Sequence, residues 1–129
     1  MKKKLKICIV RSMYNNTFEL FQSANRELEK KNIIASIIKV PGAFEIPMMI
    51  ARNIKKYDGF IAAGCIIKGE TPNFSLISNA IINGIIKLSI LYKKPIGNAI
   101  ITCLNKDQAE KRADKGKEAA EAVLEILNG

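Results

Sequence analysis

The sequence predicts an α/β fold: a three-layer α/β/α sandwich built on a four-stranded parallel sheet. Two observations carry this. Short, β-branched apolar runs alternate with segments of helical periodicity in the order βαβαβαβα, which places helices on both faces of a parallel sheet. The apolar runs are continuous rather than alternating, as in strands buried on both faces. A chain of 129 residues, 48% of them hydrophobic, can bury one full core, so residues 1–129 are expected to form a single domain.

Each element has its own local signal. Leu5 to Val10 reads as the first strand. Asn16-Thr17-Phe18-Glu19 has the form of a capping box, with Asn16 as N-cap and Glu19 three residues on. The helix that follows puts Phe21, Ala24 and Leu28 on one face and should end near Lys31. Ile33 to Val40 is the second strand, closed by Pro41-Gly42. A helix from about Phe44 to Lys55 comes next, with Pro47 in its first turn, where no N–H is needed. Tyr57-Asp58-Gly59 introduces the third strand, Phe60 to Ile67. Thr71-Pro72 opens a helix, threonine as N-cap and proline at the first helical position. Phe74, Ile77, Ile81, Ile85 and Leu88 recur at helical spacing and predict a long buried stripe. Pro95-Ile96 to Thr102 is the fourth strand, and the tail is helical, with Ala120, Val123, Leu124 and Leu127 on one face.

Composition excludes several classes of function. No apolar run approaches a membrane span. The basic N-terminus, Met1-Lys2-Lys3-Lys4-Leu5, lacks the long apolar core and small-residue cleavage site of a signal peptide, so a cytoplasmic protein without a membrane partner is expected. Cys8, Cys65 and Cys103 are far apart and form no CxxC pair. They read as small buried hydrophobes rather than a disulfide or zinc framework. The chain has no histidine, the commonest metal ligand and general acid–base. Its net charge is +9, but the lysines are scattered and no basic motif is interleaved with aromatics, so no nucleic-acid partner is expected.

In a parallel sheet, ligands bind at the carboxyl ends of the strands. The segments of interest are therefore Arg11 to Asn16, Val40 to Glu45, Cys65 to Asn73 and Thr102 to Asn105. Lys68-Gly69-Glu70-Thr71-Pro72 joins a strand to a helix N-terminus, where free N–H groups and the helix dipole attract anions. Gly69 permits close backbone approach, the Thr71 hydroxyl can donate to a phosphate oxygen, and Lys68 adds charge; a merely capped turn would look similar. Glu45, just inside a helix start, can accept hydrogen bonds from a polyol or simply satisfy the dipole. Tyr14 offers an aromatic face for a planar ring. Arg112 suits bidentate phosphate binding, though an isolated arginine is more often a solvated helix residue.

Taken in order, these segments resemble the lumazine synthase family over nearly the whole chain. The specific pieces are Val40-Pro41-Gly42-Ala43-Phe44-Glu45-Ile46-Pro47, Tyr57-Asp58, and Ala63-Gly64-Cys65-Ile66-Ile67-Lys68-Gly69-Glu70-Thr71-Pro72. Asp107-Gln108-Ala109, Arg112 and Lys115-Gly116-Lys117-Glu118-Ala119-Ala120 support them. The resemblance implies a flavodoxin-like sheet of strand order 2-1-3-4. It also implies condensation of 5-amino-6-(D-ribitylamino)uracil with 3,4-dihydroxy-2-butanone 4-phosphate, without cofactor or metal, in riboflavin biosynthesis. A homo-oligomer is implied too, a pentamer or an assembly of pentamers, with sites between subunits.

By the same resemblance, Tyr14 stacks on the pyrimidine, Ala43, Phe44 and Glu45 hold the ribityl chain, and Cys65, Ile66 and Ile67 meet the pyrimidine through backbone groups. Glu70 and Thr71 form the phosphate loop, with Arg112 and Lys115 on the phosphate. Asn73 stands at the family's histidine, its proton-transfer residue; asparagine hydrogen-bonds but does not titrate. Asn98 stands where the family has a second aromatic from the neighbouring subunit, and the loop between Arg112 and Lys115 is several residues shorter than the family's. These departures leave a second reading open: a catalytically impaired member that binds ribityl or flavin-type ligands or forms a shell. A generic flavodoxin-like or receiver-like module fits poorly, because the first strand lacks the phosphate-binding or acidic loop such modules need.

Overall fold

The computed structural model describes residues 4–69 and 73–129. Four strands, β1 (Ile7–Ser12), β2 (Ser36–Val40), β3 (Gly59–Ile67) and β4 (Ile96–Cys103), form one parallel sheet in the order β2-β1-β3-β4. The helices are α1 (Phe18–Glu29), α2 (Ile46–Asn53), α3 (Asn73–Tyr92), α4 (Lys106–Lys111) and α5 (Lys115–Asn128). A single 3-10 turn, Ala43–Glu45, precedes α2. This is the expected flavodoxin-like architecture.

The continuous apolar runs of β1 and β3 are explained by the two cores. Ile7 and Ile9 of β1, with Ile61, Ala63 and Cys65 of β3, pack beneath α1 and α5. Cys8 and Val10, with Phe60 and Ala62, pack beneath α2 and α3. Every residue of β1 is buried. Each fully buried isoleucine or leucine is worth about 1.5–3 kcal/mol relative to exposure, so the central strands anchor the fold and leave their carboxyl ends as a fixed rim.

Element boundaries differ from the sequence expectation in informative places. β1 runs through Arg11 and Ser12, which were expected in the loop, because both pair with β2 in register with Lys39 and Val40. β2 starts at Ser36 rather than Ile33. Helix α1 is capped at Thr17, not Asn16. Asn16 Oδ1 accepts a hydrogen bond from the Phe18 N–H, at 3.3 Å, while the Thr17 hydroxyl is drawn to the Ser12 carbonyl. The region after Pro41-Gly42 is a 3-10 turn followed by a shorter helix, with Pro47 in its first turn as expected. The tail is two helices, α4 and α5, rather than one.

The expected stripe on α3 is buried at Ile81 and Ile85, but Ile77 is 38% exposed. The outward face also leaves Leu76, Ile86, Ile90 and Leu91 open. Helix α3 is 20 residues long and holds an 18-residue window with a mean hydropathy of 1.6, enough by length and composition alone to cross a membrane. No single uninterrupted run signals this, because Asn79, Asn83 and Gly84 divide it. One face of α3 is packed on the sheet; the other has no partner within the described chain.

Candidate active site

The carboxyl ends of β1 and β3 are joined by the loop that follows β1. The N–H groups of Met13 and Tyr14 donate to the Val40 and Pro41 carbonyls, each at 2.9 Å, which ties the loop to the end of β2. Asn15 and Asn16 then adopt positive φ values of 66° and 47°, a conformation asparagine tolerates better than most residues. This reversal turns the Asn15 carboxamide back onto the sheet, where Nδ2 donates to the Cys65 carbonyl at 3.2 Å. Tyr14 is left 73% exposed at the rim, free to present its ring face. Asn15 was not among the site residues expected from sequence; its one signal is the Asn-Asn doublet after Tyr14.

The opposite face of β3 carries the 3-10 turn. Glu45 Oε1 accepts from the Gly42 N–H at 2.9 Å, so one carboxylate oxygen closes the turn and holds the segment in place. The turn lies directly on Gly64. A Cβ there would stand 3.1 Å from both Ala43 Cβ and Ile46 Cδ1 and 3.3 Å from Ser12 Oγ. Glycine is thus the residue that lets the Ala43–Glu45 segment reach the strand. Phe44 projects outward, 64% exposed. Ser12 Oγ, beneath this contact, is the one buried side-chain polar atom without a hydrogen-bond partner among the described residues.

On the other face, a cavity of about 670 Å³ opens between the loop after β1 and α4. Tyr14, Asn15 and Cys65 form one wall, with Lys106 and Glu110 opposite. The fold therefore gathers Tyr14, Ala43, Glu45, Cys65, Ile66 and Ile67 around the end of β3, Phe44 standing just outside. Glu70 and Thr71 lie outside the described residues. Asn73 is exposed as the first residue of α3.

The remaining three expected residues lie on β4 and the segments that follow it. Asn98 pairs in register with Ala62, five positions before Ile67, which puts it about 16 Å down the strand. It borders an apolar pocket of about 170 Å³ with Ile82, Ile86 and Ile90 of α3, and its Oδ1 accepts from the Ile100 N–H at 3.0 Å. Arg112 donates from Nη1 to the Thr102 carbonyl at 2.8 Å. Lys115 lies 3.7 Å from Glu118 in the first turn of α5.

The thiols are buried and unpaired by disulfide. Burial pushes the Cys8 thiol up to about 12, against a hydrogen bond with Tyr57 that pulls it down. Burial, then the neighbouring Cys103, pushes Cys65 up to about 11. Thiolates are the reactive form, so the folded chain should resist iodoacetamide at about pH 8 and react fully once unfolded in urea. Both folded values exceed the ordinary 9.0, so the unfolded chain releases these protons first. Stability should be level below that value and fall as pH rises through it toward the folded values, measured as the urea midpoint against pH. Among the described residues no three His, Cys, Asp or Glu side chains gather as a metal site.

Comparison with known proteins agrees with this architecture. The family model for 6,7-dimethyl-8-ribityllumazine synthase matches residues 4–129. Proteins named 6,7-dimethyl-8-ribityllumazine synthase from Polaromonas sp. and Methylibium petroleiphilum are 40% and 42% identical. Each alignment covers 98% of this chain, and 87% and 84% of the relative. The protein of that name from Leuconostoc mesenteroides is 38% identical over 95% of this chain and 86% of its own. Among solved structures, a split gene transketolase, described as an inactive beta4 tetramer, superposes with a TM-score of 0.57 at 17% identity. It covers 97% of this chain, which spans 40% of that one, and the likeness concerns the fold alone. With the family's pattern running from Lys4 to Gly129 along the same strands and rim, the chain belongs to the 6,7-dimethyl-8-ribityllumazine synthase family.

Proposed function

We propose that the protein condenses 5-amino-6-(D-ribitylamino)uracil with 3,4-dihydroxy-2-butanone 4-phosphate, giving 6,7-dimethyl-8-ribityllumazine, phosphate and water. The observation that carries this is the convergence of Tyr14, Ala43–Glu45 and Cys65–Ile67 at one strand end, within a chain matched by the family along nearly its whole length. The substrate amine is itself the nucleophile: it forms an imine with the butanone carbonyl, phosphate leaves, and the ring closes. The protein's share is to hold two substrates in register and to stabilise charge on the leaving phosphate. Tyr14 stacks on the pyrimidine, backbone groups of Cys65 to Ile67 meet its polar edge, and the free oxygen of Glu45 accepts from the ribityl chain.

The same reading makes the site a shared one. Asn98 pairs with Ala62, five positions before Ile67 on β3, so the Asn98 that borders a given site is taken from a second copy. The uncovered apolar face of α3 supports self-association, and a pentamer is the proposed unit. A second reading, binding without turnover, is favoured by one observation: Asn73, at the family's histidine, cannot titrate.

Mixing both substrates and following lumazine absorbance distinguishes the two; formation of product at a rate proportional to enzyme is expected, and ligand binding with no product would leave the second reading standing. Arg112→Met should raise KM for the phosphate substrate by roughly 10–100-fold, the worth of hydrogen bonds to a charged group, and leave pyrimidine affinity unchanged. Sedimentation should show one oligomer, and a monomer with full activity would contradict the shared site.

A further inference from the structure

Arg11 is a buried cation with no anionic partner among the described residues. It is 8% exposed, on the β1 face turned toward α1. Taking a guanidinium out of water is costly unless a counter-charge accompanies it, and among the described residues no carboxylate pairs with it. Three neutral groups hold it instead. Nε donates to Thr17 Oγ1 at 3.0 Å. The guanidinium carbon lies 5.5 Å from the Phe18 ring centre and 5.2 Å from that of Phe21, within cation–π range. These contacts occupy one of its five N–H donors and fix the plane of the fork.

Among the described residues the two terminal nitrogens have no hydrogen-bond partner, yet they are not buried orphans, a condition that Ser12 Oγ alone meets. They therefore reach solvent. The strand register brings a second cation beside them: Lys39 of β2 pairs with Arg11, so the two side chains leave the same face of adjacent strands. Lys39 is exposed. Like charges placed directly opposite across a strand pair are unfavourable, and an anion shared between them reverses the sign. Burial without a counter-ion also lowers the Arg11 pKa from its ordinary value.

We propose that Arg11 and Lys39 form a second oxyanion site, at the carboxyl ends of β1 and β2, taking a free phosphate or a phosphate monoester. The clamped guanidinium supplies two parallel N–H donors, the geometry suited to a tetrahedral oxyanion, and Lys39 closes over it as a mobile point charge. The site lies on the edge of the sheet away from β4 and Arg112, and it does not depend on the proposed reaction.

Titration of the intact protein with inorganic phosphate at constant ionic strength, read by calorimetry, tests it. In an Arg112→Met background one equivalent per chain is expected to remain. Lys39→Ala, at an exposed position, should then weaken that equivalent by about tenfold. Arg11→Lys, which keeps the charge and loses the fork, should weaken it at least as much. Turnover of Lys39→Ala in the otherwise native chain should be unchanged. No phosphate binding in the Arg112→Met background, or binding indifferent to Lys39→Ala, would overturn the proposal. Absence of lumazine formation would leave it untouched, since the titration needs no substrate.

Discussion

Gly116→Ala is expected to lower the unfolding free energy by about 2–3 kcal/mol, the upper part of the range for an overpacked core. Helix α5 crosses α1 at this residue. A Cβ added here would stand 2.0 Å from the Leu20 carbonyl oxygen, 2.4 Å from Ser23 Oγ and 3.0 Å from the Ala24 nitrogen. Two of these atoms are α1 backbone and cannot rotate away, so the helices must separate. Separation breaks more than van der Waals contact. Ser23 Oγ donates to the Ala113 carbonyl at 2.6 Å and accepts from the Lys117 N–H at 3.1 Å, which ties the start of α5 to α1. It also loosens Ala120, Val123 and Leu124 against Ala24 and Leu28 in the shared core. The check is urea unfolding followed by circular dichroism. Gly69→Ala, where an added Cβ meets nothing within 4 Å, is the matched control and should stay within about 0.5 kcal/mol of the native chain. Equal losses in both variants would contradict the close-packing account.

Asn73→His is expected to raise kcat by at least about tenfold and to give the rate a dependence on pH near neutrality. Asn73 is exposed at the first position of α3, adjoining the loop that follows β3, so the substitution carries little folding cost. A positioned general acid–base contributes roughly 10²–10⁴-fold, and an imidazole with a pKa near about 6.5 titrates in the working range. In the native chain, proton transfer must pass through water or the substrate phosphate. The native pH–rate profile should therefore lack a limb near that value, and the variant's should acquire one. An unchanged rate with an unchanged profile would show that proton transfer at this position does not limit turnover.

How much of this was legible beforehand depends on the range of the interaction concerned. The strands were legible because each is a short apolar run whose burial on both faces needs no partner to be named. Their ends were less so. Arg11 and Ser12 look like loop residues, being polar, yet pairing with Lys39 and Val40 extends β1 through them. The start of α1 moved from Asn16 to Thr17 because two asparagines with positive φ came first, and local patterns do not distinguish such a reversal from a cap. The stripe on α3 was read as core throughout. Spacing shows that residues share a face, but not whether that face meets the sheet along its whole length, and Ile77 remains open.

The sequence by itself determined the alternation of elements, the parallel sheet, the family, and the strand ends at which a ligand would sit. These follow from local periodicity and from ordered motifs, both written along the chain. Tertiary structure alone decided what those ends are made of. It brought the Asn15 carboxamide to Cys65, 50 residues away in sequence, and seated Ala43 against Gly64. It placed Asn98 opposite Ala62, five positions before Ile67, and it left Arg11 clamped beside Lys39 with no counter-ion among the described residues. The physical reason is that each of these is a contact between distant segments. Its geometry is set by sheet register and helix packing, and neither is encoded in any local window of residues.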